Sequence, residues 1–113
     1  MLDINVEAEK SLSKLNCNVV YQYPEVFAET PIISYYCLTE CGGFYADNSE
    51  CIQDGHLQID VWSDLASECG ELSILVNDVM EEDGWTREMS MDVPKKEDKI
   101  YHRTMRFQKY FTL

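Results

Sequence analysis

The stretch Gly55–Met80, GHLQIDVWSDLASECGELSILVNDVM, switches its hydrophobic period from alternating to helical, and that switch decides the fold. Leu57, Ile59 and Val61 alternate with Gln58, Asp60 and Trp62, which predicts a strand with one buried face and one mostly wet face. From Leu65 onward, Leu65, Cys69, Leu72, Val76 and Val79 fall on a single stripe of an α-helix, with Ser67, Glu68, Glu71 and Asp78 turned away. Ser63 or Asp64 is placed to accept a hydrogen bond from the first free helical N–H groups. A strand and a helix joined by almost no loop are therefore expected to form the framework against which everything else packs.

Toward the N-terminus, Ile4, Ala8, Leu12 and Leu15 keep helical spacing and predict an opening helix of about three or four turns. Val19–Val26 reads as a short extended piece that Pro24 keeps out of a sheet centre. Ile32–Thr39, rich in β-branched and aromatic residues, is a predicted strand. Cys41-Gly42-Gly43 and Asp47-Asn48-Ser49 are turn signals, so residues 40–54 are expected to form a long, partly mobile hairpin loop. Toward the C-terminus, the helix is expected to run from about Asp64 to Glu82, with Gly70 marking a close helix–sheet contact and Gly84 a left-handed C-cap. Trp85–Met91 and Ile100–Phe111 predict two further strands around a turn at Val93–Asp98, the last placing Tyr101, Arg103, Met105, Phe107 and Lys109 on one face. The order implies one α+β domain over 1–113, an antiparallel sheet of about four strands with two helices packed on one face.

Composition narrows the function. A hydrophobic content of 45% excludes a disordered chain, and no apolar run approaches the roughly 20 residues of a membrane span. The N-terminal MLDINVEAEK carries acids where a signal peptide has bases, so a soluble protein kept in the cytoplasm is expected. The net charge of −12 is segregated: residues 1–86 hold 17 acids and only Lys10 and Lys14 as bases, whereas residues 87–113 hold seven bases and four acids. That balance argues against nucleic acid or an anionic membrane as partner. It suits plain solubility, or a chain whose basic segment meets an acidic face of another copy in a head-to-tail ring. Arg87, Lys95, Lys96, Lys99, Arg103 and Arg106 are the candidate contact residues.

Motifs of catalysis are missing: there is no P-loop, dinucleotide fingerprint, G-x-S-x-G or H-E-x-x-H, and no cofactor is expected. The acidic pairs at Glu81–Asp83 and Glu97-Asp98 read as solvated surface. Five cysteines without a secretory signal fit free thiols. The alternative is a small metal-binding domain in which Cys37, Cys41, Cys51 and His56 make a tetrahedral zinc site, although no C-x2-C knuckle supports it. His102 is expected to face solvent or a neighbouring side chain. Tyr21, Tyr23, Phe27, Tyr35, Tyr36, Phe44 and Tyr45 are expected mostly in the core or on a sheet face, since base stacking needs a basic surround that this region lacks. An acidic decoy for a nucleic-acid-binding protein is a third reading.

Leu57-Gln58-Ile59-Asp60-Val61-Trp62-Ser63, the following amphipathic helix, Gly-Trp-x-Arg, and Ile100-Tyr101-His102-Arg103 with Arg106-Phe107 together resemble the small tail-completion, or tail-to-head joining, proteins of long-tailed phages and prophages. The resemblance spans nearly the whole chain. It implies an α+β fold without enzymatic activity, in a ring, usually hexameric, at the head-proximal end of the tail. The implied partners are other copies, the major tail protein and head-connector proteins. The implied location is the virion tail, after assembly in the bacterial cytoplasm. The cysteine-rich hairpin Cys37 to Cys51 is not part of that family pattern.

Overall fold

The computed structural model describes residues 1–27, 29–46, 49–94 and 100–113. Helix α1 (Ile4–Leu12) is followed by β1 (Asn18–Tyr21), β2 (Ile32–Ala46), β3 (Ser49–Ser63), α2 (Ala66–Glu82), β4 (Thr86–Val93) and β5 (Tyr101–Thr112). The strands make one sheet in the order β1-β2-β3-β5-β4. The fold is α+β, and the sheet is mixed rather than wholly antiparallel: β1 adds a fifth strand, parallel to β2, with Asn18 opposite Ile32 and Tyr21 opposite Tyr35. Pro24 is left outside β1, as expected.

Alternation along β3 sets the layers. Leu57, Ile59 and Val61 are fully buried, and with Met105, Phe107 and Phe111 of β5 they form the face on which both helices lie. α1 contributes Ile4, Ala8 and Leu12, and α2 contributes Cys69, Leu72, Val76 and Met80. The first helix is shorter than its apolar spacing suggests. It ends at Leu12, and the half-buried Leu15 reaches the core from beyond the helix. Asp3 caps its start, its Oδ1 accepting the Asn5 N–H at 3.0 Å. α1 is held close to β3 because Gly55 leaves room: a Cβ there would stand 2.7 Å from Ile4 Cδ1. Gln53 ties down the terminus, donating from Nε2 to the Leu2 carbonyl at 3.0 Å and accepting the Leu2 N–H at 2.8 Å.

The start of α2 corrects one expectation. Leu65 is not on the buried stripe but is the N-cap residue, 56% exposed, because Ser63 draws the chain into a turn: its Oγ accepts the Leu65 N–H at 3.1 Å and donates to Glu68 at 2.7 Å. Met80 closes the fully buried stripe, and Val79 packs half-buried against the core beside it. Gly70 makes no close contact with the sheet, since a Cβ there would meet nothing within 4 Å among the described residues. The C-terminus follows expectation. Gly84 has φ +91°, its N–H bonds to the Glu81 carbonyl and the Trp85 N–H to the Met80 carbonyl, which together form a Schellman cap. Gly84→Ala forces a Cβ into the left-handed region and is expected to cost about 1 kcal/mol in urea unfolding, with the slope unchanged. The last turn of α2 has no base of its own. Cations from elsewhere serve it: Lys109 of β5 donates to the Asp83 carbonyl and Lys14 pairs with the Asp83 carboxylate at 2.6 Å.

The largest departure lies at residues 40–54, expected as a loop. Residues 40–46 and 49–54 are strand: β2 and β3 each run 15 residues and pair from Ile32–Trp62 out to Ala46–Ser49, with irregularities near Leu38, Gly43 and Phe44. The Gly42-Gly43 pair, a turn signal in the sequence, is carried within the ladder, and the Tyr45 ring lies across the Cα of Gly42. Fifteen residues at about 3.3 Å span about 50 Å. This hairpin therefore sets the 53 Å long axis of a molecule only 24 × 21 Å across. A compact chain of this length has a radius of gyration of about 13 Å; here it is 15.1 Å.

Candidate functional site

The face of the sheet opposite the helices carries Ser34 and Tyr36 from β2, Gln58, Asp60 and Trp62 from β3, and His102, Thr104 and Arg106 from β5. At one end it is covered by the segment after β1. Tyr23 packs edge-on against Tyr36 at 5.7 Å and against Trp62 at 5.9 Å, and Phe27 lies 5.2 Å from Trp62. On its other side Trp62 stacks flat on the His102 ring, 3.6 Å between centroids and 12° between planes. The indole N–H of Trp62 donates to Ser34 Oγ at 2.9 Å.

Beneath this aromatic layer lies Asp60, whose side chain is wholly buried. A buried carboxylate needs donors. His102 Nε2 supplies one at 2.7 Å and Gln58 Nε2 another at 3.1 Å, while Gln58 Nε2 also reaches the Tyr23 hydroxyl at 3.3 Å. The bond to Tyr36, burial and the Asp60 charge push the Tyr23 phenol up to about 12. The Thr104 hydroxyl, opposite Asp60 in the ladder, is buried without a hydrogen-bond partner among the described residues. Asp60, Gln58 and His102 thus form a satisfied polar knot that locks the aromatic cover to the sheet. The sequence places Trp62 on a wet face and His102 beside a neighbour; the pairing of the two could be read only from the register that puts Trp62 opposite His102.

Farther along the same face His56 stands between two acids, Nδ1 to Glu88 at 3.0 Å and Nε2 to Asp54 at 3.2 Å. The bond to Glu88 and then that to Asp54 outweigh burial and raise its pKa above the usual histidine value of 6.5. The charged imidazole clips β3 to β4. Because the folded pKa is the higher, this contribution is full below about pH 6.5 and is lost as pH rises through the raised folded value. Thermal melts across that range are expected to show a stability loss that His56→Gln flattens.

The described candidate basic residues Arg87, Arg103 and Arg106 do not form one patch. Arg87 is on the helix side, its guanidinium donating to Asn77 Oδ1 at 3.1 Å, and Arg103 is on the same side, paired with Asp92 at 3.1 Å. Arg106 is exposed on the opposite face, in a hollow with Leu38, Thr39, His56, Glu88 and Met89. Lys95, Lys96 and Lys99, with the turn that holds them, lie outside the described residues. The candidate zinc ligands are strung along the hairpin. Cys37 faces Leu57, Cys41 faces Asp54 and His56 faces Thr39. At about 3.3 Å per residue, Cys51 is then about 10 Å along the ladder from the Cys41 rung and about 20 Å from the Cys37 rung. All five cysteines are free thiols, and the described residues hold no group of three or more His, Cys, Asp or Glu side chains arranged for a metal.

The far end of the hairpin, Cys41–Ala46 with Ser49–Ile52 and the end of β5, extends past both helices. It exposes Phe44 (56%), Tyr45 (58%), Tyr110 (64%) and Leu113. Exposed aromatics clustered on a projecting element mark a contact surface. Among the described residues no helix is long and apolar enough to cross a membrane.

These features define a class: an α+β protein built on one mixed five-stranded sheet, with both described helices on one face, a second face covered at one end by Tyr23 and Phe27, and a projecting aromatic arm. Comparison with known protein families and with characterised proteins gives no match for the sequence.

Proposed function

We propose that this protein is a non-enzymatic structural component of phage or prophage tail assembly, whose copies form a ring at the head-proximal end of the tail and join it to the head connector. The observation that carries this reading is the arm: a hairpin that sets a 53 Å long axis and holds Phe44 and Tyr45 in solvent beyond the helix-covered core. Two-stranded ribbons gain nothing from exposing aromatics unless another surface covers them. The segregated charge, with no Lys or Arg between Lys14 and Arg87, supports contacts between unlike surfaces. So does the resemblance of the Leu57–Ser63 and Ile100–Phe107 segments to tail-completion proteins. In this reading the arm meets the major tail protein or a connector protein in the virion tail, and the protein is made in the bacterial cytoplasm.

Joining of purified protein to tail tubes, followed by negative-stain imaging and co-sedimentation, tests it. Phe44→Ser with Tyr45→Ser is expected to abolish joining and to leave the melting temperature within a few degrees of the parent, because both side chains are already exposed. Joining at parental level by that variant would remove the arm from the mechanism.

A further inference from the structure

We infer that copies of this chain join front to back, the outer face of α2 in one copy seating on the open sheet face around Arg106 in the next. The inference rests on the assembly reading above and names the surfaces that make the ring. Arg106 is the first observation. Lys10 pairs with Glu7, Lys14 with Asp83 and Arg103 with Asp92, while Arg87 donates to Asn77 and Lys109 to the Asp83 carbonyl. Arg106 alone among the described Lys and Arg residues has no such partner. In a chain of net charge −12, an exposed guanidinium left unpaired is an open site for a carboxylate.

Beside Thr39, His56 and Glu88, its surroundings include an apolar wall that a solvated sheet face does not need. Leu38 (36% exposed) and the half-buried Met89 share its hollow of about 390 Å³, and Met91 (51%) stands two residues along the same edge strand. The matching surface is on the other side of the molecule. α2 turns Ile74 (62% exposed) and Leu75 (51%) away from its own core, at the spacing that places Glu71 and Asp78 on the same outer stripe, and the helix contains no Lys or Arg. An apolar knob edged by acids fits a hollow with an apolar wall and an unpaired guanidinium, the Glu88 carboxylate there being taken by His56, and methionines adapt well to such a knob. Since the two surfaces are different and lie on opposite layers, each copy offers one and receives the other. Such a contact is heterologous and closes into a ring when the rotation allows.

Sedimentation velocity on the full chain, across micromolar to millimolar concentrations, tests this. Arg106→Glu and, separately, Ile74→Ser with Leu75→Ser are each expected to raise the dissociation constant of self-association at least about tenfold. Each should leave the circular-dichroism melt unchanged, since the altered side chains are exposed. An equimolar mixture of Arg106→Glu with a Glu71→Arg, Asp78→Arg variant is expected to associate where neither variant does alone, because the first keeps an unaltered α2 face and the second an unaltered Arg106. Association that is insensitive to all of these, or that Phe44→Ser with Tyr45→Ser alone weakens, overturns this interface while leaving the assembly reading standing. A parent protein that stays monomeric throughout overturns this interface, and one that also fails to join tail tubes overturns both.

Discussion

His102→Ala is expected to lower stability by about 2–4 kcal/mol in chemical denaturation, a large loss for a residue outside the main core. Two contributions add. Asp60, with its side chain wholly buried, loses the 2.7 Å donor and keeps only Gln58. Removing one partner of a buried hydrogen bond costs more than the bond itself contributes, because the remaining carboxylate cannot return to water. Trp62 meanwhile loses the ring stacked on it at 3.6 Å, and with it the floor on which Tyr23 and Phe27 rest. The double variant Asp60→Asn, His102→Ala should recover part of the loss, since no charge is then left buried. His102→Gln, which keeps a donor but not the ring, should fall between. If the double variant is as unstable as the sum of its parts, the stack rather than the hydrogen bond carries the effect.

Phe107→Ala has the second large expectation, about 3–5 kcal/mol. Phe107 is the largest fully buried side chain, opposite Leu57 on one side and Arg87 on the other in the ladder. It sits in the core cluster with Met80, Val76 and Ile59, which both helices help to form. Truncation opens a cavity at the seam of sheet and helix layers that neither can collapse to fill. Urea unfolding followed by tryptophan fluorescence checks it. A loss under about 1 kcal/mol would mean that the layers close over the gap.

These two residues also show what the sequence revealed. Phe107 was legible: it alternates with Met105 on a strand whose apolar period is unambiguous, as Leu57, Ile59 and Val61 are on β3. α2 and its Gly84 cap were legible for the same reason, since period and cap chemistry are local. The arm was not. Cys41-Gly42-Gly43 has local turn chemistry, yet the partner strand supplies the hydrogen bonds and Tyr45 covers Gly42, so pairing overrides propensity. Nor was the parallel seat of β1 legible, because Asn18–Tyr21 is short and its partner lies beyond a turn that no composition signal specifies. The aromatic and acidic knot of Trp62, His102 and Asp60 joins residues some 40 positions apart. Alternation says that each side chain shares a face, but only register brings them together. The division of Arg103 and Arg106 between opposite faces is the same matter, since three residues along a strand is an odd number of steps.

Imaging of the purified parent protein at rising concentration tests most directly whether this chain is an assembly unit. Negative-stain images should show closed rings of one size, with masses in solution that are multiples of the 13.1 kDa chain and that fall at high salt. A single 13.1 kDa species at every concentration and salt, with no joining to tail tubes, would contradict it.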